Sequence, residues 1–200
     1  NQCADRRDAL RRLSHVMKVH LDTDLGGDPD DLCALALLLA WPEIEITGIT
    51  TSTEHGGKRA GYVRCALHLA GRDDIPVAMG SEGGISQLRW PATLPDESNF
   101  WPESIAPLVN PAGAALDLLD ASIEQGAAII GIGPYTKLAL FDVLRPGRLA
   151  KTRVVLMGGV LPPLKQGLPE WDASRDYNTF MDIAATERIL ACCDPTLVTL

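Results

Sequence analysis

No stretch of this chain is apolar for long enough to span a bilayer, so no membrane-crossing helix is expected. Positive charge is in short supply. Lys and Arg number 18 against 26 Asp and Glu, a formal net charge of -8. The few basic pairs, Arg6-Arg7 and Arg11-Arg12, are interleaved with Asp5 and Asp8. A nucleic-acid backbone is therefore not an expected partner. Cysteine is sparse and odd in number: Cys3, Cys33, Cys65, Cys192 and Cys193, with no C-x-x-C. That pattern argues against a disulfide or zinc framework and for reduced core thiols in a cytosolic protein. The first fourteen residues are charged and lack the apolar core of a signal peptide, and the expected location is cytoplasmic. A dinucleotide fingerprint is missing, because Gly131-Ile-Gly133 has no third glycine. His15, His20, His55 and His68 have no Ser or Cys partner pointing to a nucleophilic triad. There is no internal repeat and no linker, and 200 residues fit one domain.

Against these absences stands one concentrated feature. Between Asp22 and Asp31 the chain places five carboxylates: Asp22, Asp24, Asp28, Asp30 and Asp31. The apolar run before them, Val16 to Leu21, reads as a buried strand. The run after them, Leu32 to Ala40, is Leu/Ala-rich without β-branched residues and reads as a helix. The acids thus occupy a strand-to-helix turn, where open α/β sheets place their ligand sites. Capping explains part of the cluster: Asp28 before Pro29 fits an N-cap with a first-turn proline, and Asp30 and Asp31 suit the positive end of the helix dipole. It does not explain Asp22 and Asp24, which precede the flexible Gly26-Gly27 pair. A cation among them would relieve the repulsion of so many like charges.

Strand and helix patterns alternate along the rest of the chain. Strands are expected over 44–51, 75–79, 127–132, 152–157 and 196–200. Helices are expected from Gly56 to Ala70 (closed by Gly71), from Asn110-Pro111 to Glu124, from Tyr135 to Leu144 and from Thr179 to Ala191. Two long loops, 81–109 and 160–177, remain. The expected fold class is α/β: a mostly parallel, Rossmann-like sheet with helices on both faces.

These residues resemble the inosine-uridine-preferring nucleoside hydrolases. The family's signature is an apolar strand, Asp-x-Asp, a glycine turn, then Asp-Asp opening an Ala/Leu-rich helix. Here it reads Leu21-Asp22-Thr23-Asp24, Gly26-Gly27 and Asp30-Asp31, with a turn two residues longer than the commonest form. In order come Gly48-Ile-Thr-Thr51, Leu69 to Val77, Gly131-Ile-Gly-Pro-Tyr-Thr-Lys-Leu-Ala139, Val155-Leu-Met-Gly-Gly159, Asp176-Tyr-Asn178 and Asp182-Ile-Ala-Ala185. The resemblance divides the chain into a charged N-terminal extension, 1–14, and a nucleoside hydrolase-like domain, 15–200. It implies Ca²⁺-dependent hydrolysis of a small-molecule ribonucleoside to ribose and base. Asp24 would touch the metal and act as general base. Asp31 and the carbonyl of Ile132 would be further metal ligands. Asp30, Asp176 and Asn178 would bind ribose, and Met157 would line the pocket. Asp22 would support the loop from behind.

The chain also departs from the pattern. Ser52-Thr53-Glu54-His55 lacks the Asn that often holds ribose, Asp176 replaces Glu, and Lys137 replaces Asn. Where another ribose-binding Asn is expected, Glu170 or Asp172 would have to substitute. The family's last metal ligand belongs to a C-terminal third beyond Leu200. With the chain ending in an apolar run, the domain is expected to lack its C-terminal part, and an exposed edge left there would favour homo-oligomers or aggregation. Asn178 fits an N-cap for the helix near Thr179 as well as a ribose ligand. Tyr177 and Trp171 fit packing as well as base stacking. Two other readings stay open. One is a homologue that binds metal or ribosides without turnover. The other is a haloacid-dehalogenase-like phosphatase, in which Asp22 is the nucleophile and Asp24 the acid/base.

Overall fold

A computed structural model of the chain describes residues 16–85, 93–101, 103–160, 167 and 175–199. The charged extension 1–14, Cys3, His15, Trp90, Glu170, Trp171, Asp172 and Leu200 lie outside the described residues. Among the described residues six strands, β1 (Met17–Thr23), β2 (Ile44–Thr51), β3 (Val77–Ala78), β4 (Ala128–Gly131), β5 (Val154–Met157) and β6 (Thr196–Val198), form one sheet in the order β3-β2-β1-β4-β5-β6. Every described pairing is parallel. Among the described residues the α-helices are α1 (Asp30–Ala40), α2 (Lys58–Leu69), α3 (Ala114–Glu124), α4 (Thr136–Leu144), α5 (Tyr177–Met181) and α6 (Ile183–Cys192). The fold is the expected doubly wound α/β sheet. Its strand order reverses between β1 and β4, which opens a crevice at their carboxyl ends.

β1 sits mid-sheet, flanked by β2 and β4, so both its edges are paired. Val19 and Leu21 point to one face and join Leu35, Ile49, Val63 and Leu67 in a core built with α1 and α2. A second core joins β4 and β5 to α3, α4 and α6 through Ile129, Leu156, Leu119, Phe141 and Ile189. Alternate β1 residues face the other way and are polar. His20 bonds Ser122 of α3 (2.9 Å) and Thr50 of β2 (2.8 Å). Thr50 also donates to Asp22 at 3.3 Å, and Asp22 accepts from Lys137 of α4. A buried polar chain therefore ties β1, β2, α3 and α4 together beneath the crevice.

Several element boundaries differ from the sequence expectation. The helix assigned from Asn110 begins at Ala114 instead, behind Gly113 at φ 87°. The Asn110 side chain accepts from the Met79 N–H at 2.9 Å, so it pins the end of β3 rather than capping a helix. The expected helix 179–191 is two helices broken at Asp182. The buried Asp182 carboxylate caps α6 through the Ala185 N–H (3.1 Å) and accepts from Ile85 N–H (2.7 Å) and the Thr136 hydroxyl (2.6 Å). β3 is two residues long, less than the 75–79 run suggested. The four described thiols are free: Cys33 is exposed and is not a core thiol, while Cys65 packs half-buried against the first core and Cys192 and Cys193 against the second. α1 turns Asp31 and Leu35 inward, which leaves Cys33 on the outer side. Among the described residues, no helix is long and apolar enough to cross a membrane.

His20 offers a test of the buried polar chain. Burial, aided by the nearby Lys137 charge, pushes its ring down to about 3 from an ordinary 6.5. The ring is neutral in the fold, while the unfolded chain takes up a proton near 6.5. Its contribution to stability is thus full above that value and is lost as pH falls towards the folded one. In urea unfolding, His20→Gln is expected to be less stable than the parent at about pH 8. The gap should narrow by roughly 2 kcal/mol by about pH 5. A gap independent of pH would mean that the ring titrates alike in both states.

Candidate active site

The crevice is assembled from strand ends. The Ile132 N–H donates to the Asp22 carbonyl at 2.8 Å, and the Ser52 N–H to the Thr23 carbonyl at 3.0 Å. The loops after β4 and β2 are thereby fixed beside the end of β1. The chain then turns through Asp24, Leu25 and Gly26. Leu25 is buried and anchors the turn. Gly26 has φ 116° and lies over the Tyr62 ring, where a Cβ would come within 2.4 Å of a ring carbon. Only glycine fits such a backbone. The Thr23 hydroxyl accepts from the Leu25 N–H (3.2 Å) and donates to Asp31, joining the strand end to the first turn of α1.

A cavity of about 360 Å³ lies at this point. It gathers all seven residues singled out from the sequence: Asp24, Asp30, Asp31, Ile132, Met157, Asp176 and Asn178. Asp31 is buried and Asp30 exposed, as expected for adjacent positions on a helix whose inner face looks at the strand end. The Asn178 amide donates to the carbonyls of Ile132 (2.7 Å) and Met157 (3.1 Å), which links the ends of β4 and β5. Its capping reading is overturned. Asp176 is the N-cap of α5, accepting from Thr179 N–H at 3.3 Å and from the Gly159 N–H. Asn178 lies one residue inside that helix, where its side chain is free to turn into the cavity. The capping reading of Asp28 also fails. Pro29, in helical conformation, takes the position before α1 and makes no side-chain cap bond, and Asp28 faces the cavity instead.

Asp22 does not line the cavity; it is 1% exposed and held from below by Lys137 and Thr50. Burial pushes its carboxyl up and the Lys137 amine down, each opposed by their mutual contact. The departures around residue 54 have a structural role. Glu54 is buried, and its carboxylate accepts from the N–H groups of Arg59 (3.1 Å) and Ala60 (3.0 Å), capping α2 in the absence of an N-cap side chain. Arg59 was not read from the sequence as a site residue. Its guanidinium donates to the Thr53 carbonyl at 2.9 Å and to the Asp24 carbonyl, and it lines the cavity. The available signal was a cationic pair, Lys58-Arg59, opening a helix at the end where the dipole disfavours positive charge.

The electrostatics of the two inner acids are unusual. Burial pushes Asp24 up to about 7, with Asp31 adding repulsion and Arg59 opposing it. Burial likewise raises Asp31 to about 6, against the bond from Thr23. Gly133 permits the closeness: a Cβ there would lie 2.9 Å from the Asp24 carboxylate and 2.9 Å from the Ser52 hydroxyl. That hydroxyl is buried without a hydrogen-bond partner among the described residues. Two carboxylates and the Ile132 carbonyl line the cavity together, a hard-oxygen donor set that suits Ca²⁺ or Mg²⁺. Among the described residues no three His, Cys, Asp or Glu side chains converge into a metal cluster, so carbonyl, water or substrate oxygens would have to complete the sphere.

The family model described as inosine-uridine preferring nucleoside hydrolase matches residues 19–200. The chain belongs to this nucleoside hydrolase family. The pyrimidine-specific ribonucleoside hydrolase RihA of Escherichia coli is 31% identical over 191 residues, covering 86% of this chain and 56% of that protein. RihA of Salmonella agona is 32% identical with the same coverage. The chain thus spans 56% of the length of these relatives. Among solved structures, a plant nucleoside hydrolase superposes with a TM-score of 0.73 at 22% identity, over 92% of this chain and 60% of that one. An inosine-guanosine nucleoside hydrolase gives 0.74 at 22% identity, over 92% and 62%. At such identity the structural likeness speaks for the nucleoside hydrolase fold.

The raised acids bear on any cation that this site would hold. Burial favours the protonated form of both carboxyls, so a divalent cation bound through them would have to displace protons. Apparent Ca²⁺ affinity is expected to rise by roughly tenfold or more from about pH 5.5 to about pH 7.5, with proton release on binding. Calorimetry in two buffers of different ionisation enthalpy reads both. Affinity flat with pH and no proton release would mean that neither Asp24 nor Asp31 is a ligand.

Proposed function

We propose that this chain carries the sugar- and metal-binding centre of a calcium-dependent N-ribosyl hydrolase, which cleaves ribonucleosides to ribose and free base. The observation that carries the proposal is the convergence of Asp24, Asp30, Asp31, the Ile132 carbonyl and Asn178 on one cavity at the strand-order switch. Family membership and the names of the relatives support it.

Asp24 is the proposed general base. A carboxylate raised towards neutrality accepts a proton from water better than an ordinary one, while still ionising at physiological pH. The Arg59 bond to its backbone carbonyl fixes where that carboxylate sits. Asp24, Asp31 and the Ile132 carbonyl are the proposed metal ligands. Bound there, Ca²⁺ would supply positive charge that favours ionisation of a water and binds the ribose diol. Asp30, exposed at the cavity wall, is free to accept from a ribose hydroxyl. Asn178 and Asp176 also line the cavity, and Met157 contributes apolar lining. Departure of the base leaves an oxocarbenium-like sugar, by analogy with glycoside hydrolysis, and the surrounding carboxylates stabilise that charge.

The phosphatase reading loses its nucleophile, because Asp22 is buried beneath the cavity and bonded to Lys137. Binding without turnover keeps one observation in its favour, the absence of a third convergent acid among the described residues.

The decisive assay is release of ribose from inosine, uridine and cytidine, with Ca²⁺ and with chelator. Release is expected to require Ca²⁺ and to fall about 10²- to 10⁴-fold in Asp24→Ala. Hydrolysis indifferent to both would overturn the proposal. Calcium-dependent thermal stabilisation without release would assign the chain the binding role.

A further inference from the structure

Two cations stand among the acids of the cavity. Asp24, Asp28, Asp30, Asp31 and Asp176 bring carboxyl groups to its wall, and the guanidinium groups of Arg59 and Arg175 line it with them. Despite that company, neither arginine forms an ion pair among the described residues. Arg59 is only 4% exposed, and it bonds two neutral acceptors, the carbonyls of Thr53 (2.9 Å) and Asp24, through Nε and Nη1. Its Nη2 has no hydrogen-bond partner among the described residues. Arg175 is exposed, just before the Asp176 cap of α5.

A tie between the loops after β1 and β2 accounts for Nε and Nη1 of Arg59. It accounts neither for Nη2 nor for Arg175. A guanidinium taken out of water without a counter-charge is costly, and an anion from outside the chain relieves that cost. The planar fork of donors matches the oxygens of a phosphate. Repulsion from the carboxyls does not forbid this. With Asp24 and Asp31 engaged by a divalent cation, three acids remain, and the Asp176 carboxylate is turned to the N–H groups of Thr179 and Gly159. Asp28 and Asp30 then face two guanidinium groups, and the metal brings charge of its own.

A neutral ribonucleoside offers neither arginine a charge to meet. In the reading above Ca²⁺ binds the ribose diol, which leaves O5′ as the ribose oxygen that can carry a substituent. The stretch 52–55, which lacks the Asn that often holds ribose, is bonded by Arg59 at Thr53. A cation thus stands over a place where a neutral sugar contact was expected. We propose that the substrate of this site is a ribonucleoside 5′-monophosphate, its phosphoryl group held by Arg59 and Arg175. Hydrolysis then yields ribose 5-phosphate and free base, with the hydroxyl of water bound to C1′ and a proton on the leaving nitrogen. The proposal narrows the ribosyl hydrolase reading and rests on it.

Calorimetry with uridine, uridine 5′-monophosphate, ribose 5-phosphate and inorganic phosphate, each in the presence of Ca²⁺, separates the phosphoryl group from the sugar. The nucleotide is expected to bind at least about tenfold more tightly than the nucleoside, the scale of one hydrogen bond to a charged group. Ca²⁺ itself attracts phosphate, so variants decide which group is responsible. Arg175→Gln, at an exposed position, should cut the nucleotide-over-nucleoside ratio by about fivefold or more, and Arg175→Lys, which keeps the charge, should restore part of it. Ribose 5-phosphate should lose affinity in parallel, which locates the contact on the phosphoryl group. Equal binding of nucleoside and nucleotide, or a ratio that Arg175→Gln leaves intact, would overturn the proposal and leave the riboside reading standing. Inorganic phosphate bound as tightly as the nucleotide, with no binding of uridine, would overturn both.

Discussion

Burial of two carboxyl groups, Asp24 and Asp31, in one cleft is the constraint around which this structure is arranged. Loss of water holds both well above the ordinary carboxylate range, and for Asp24 the neighbouring Asp31 adds to it. An evolved core would not keep such a pair without a use, because replacement by neutral residues would relieve the cost. The surrounding structure stabilises their placement. Thr23 bonds Asp31, Arg59 bonds the Asp24 backbone, and Gly133 gives way to the Asp24 carboxylate. The fold works against its own electrostatics at one place, and that place is the switch point where a doubly wound sheet can receive a ligand.

The support for that place is polar on one side of the sheet and apolar on the other. Val19 and Leu21 lock β1 to the core beneath α1 and α2, while His20 and Asp22 reach through the opposite face to α3 and α4. A one-residue slip of β1 would exchange these faces, burying His20 and Asp22 in hydrocarbon. The polar chain therefore fixes the register of the strand whose end carries Asp24. Positional accuracy at the site follows from strand register more than from the turn itself.

Much of this was legible in the sequence, and the rest had physical reasons to be hidden. Alternating apolar runs announced a parallel α/β fold. The spacing of Asp22, Asp24, Asp30 and Asp31 announced a site at a strand-to-helix turn, and the resemblance drew Ile132, Met157, Asp176 and Asn178 to it. Capping was harder to read. Asp28, Asn110 and Asn178 all have capping chemistry, yet the residues before α1, α3 and α5 are Pro29, Gly113 and Asp176. A cap depends on one residue of phase, finer than apolar periodicity resolves. Asp182 split an expected helix because its carboxylate serves two partners distant in sequence, Ile85 and Thr136, besides capping α6. Arg59 was missed for a similar reason, since its bond to the Asp24 carbonyl exists only once β1 and β2 lie side by side, whereas Glu54 caps α2 locally.

The departures from the family pattern make sense when their charges are taken together. Lys137 in place of Asn buries an amine, and Glu54 buries a carboxylate near it. Lys137 neutralises Asp22 by direct contact, and Arg59 sets a second cation against the cluster. Among the residues that line the cavity, Asp24, Asp28, Asp30, Asp31 and Asp176 set five carboxyl groups against the guanidinium groups of Arg59 and Arg175, a surplus of acid beside the Ile132 carbonyl. A chain that substituted residues below the cavity with opposite charges, while leaving this surplus at its surface, has kept the balance that a divalent cation would complete. The substitutions at 54 and 137 thus alter how the site is supported without altering the charge it presents, which is why departures from the family pattern there do not count against the proposed metal.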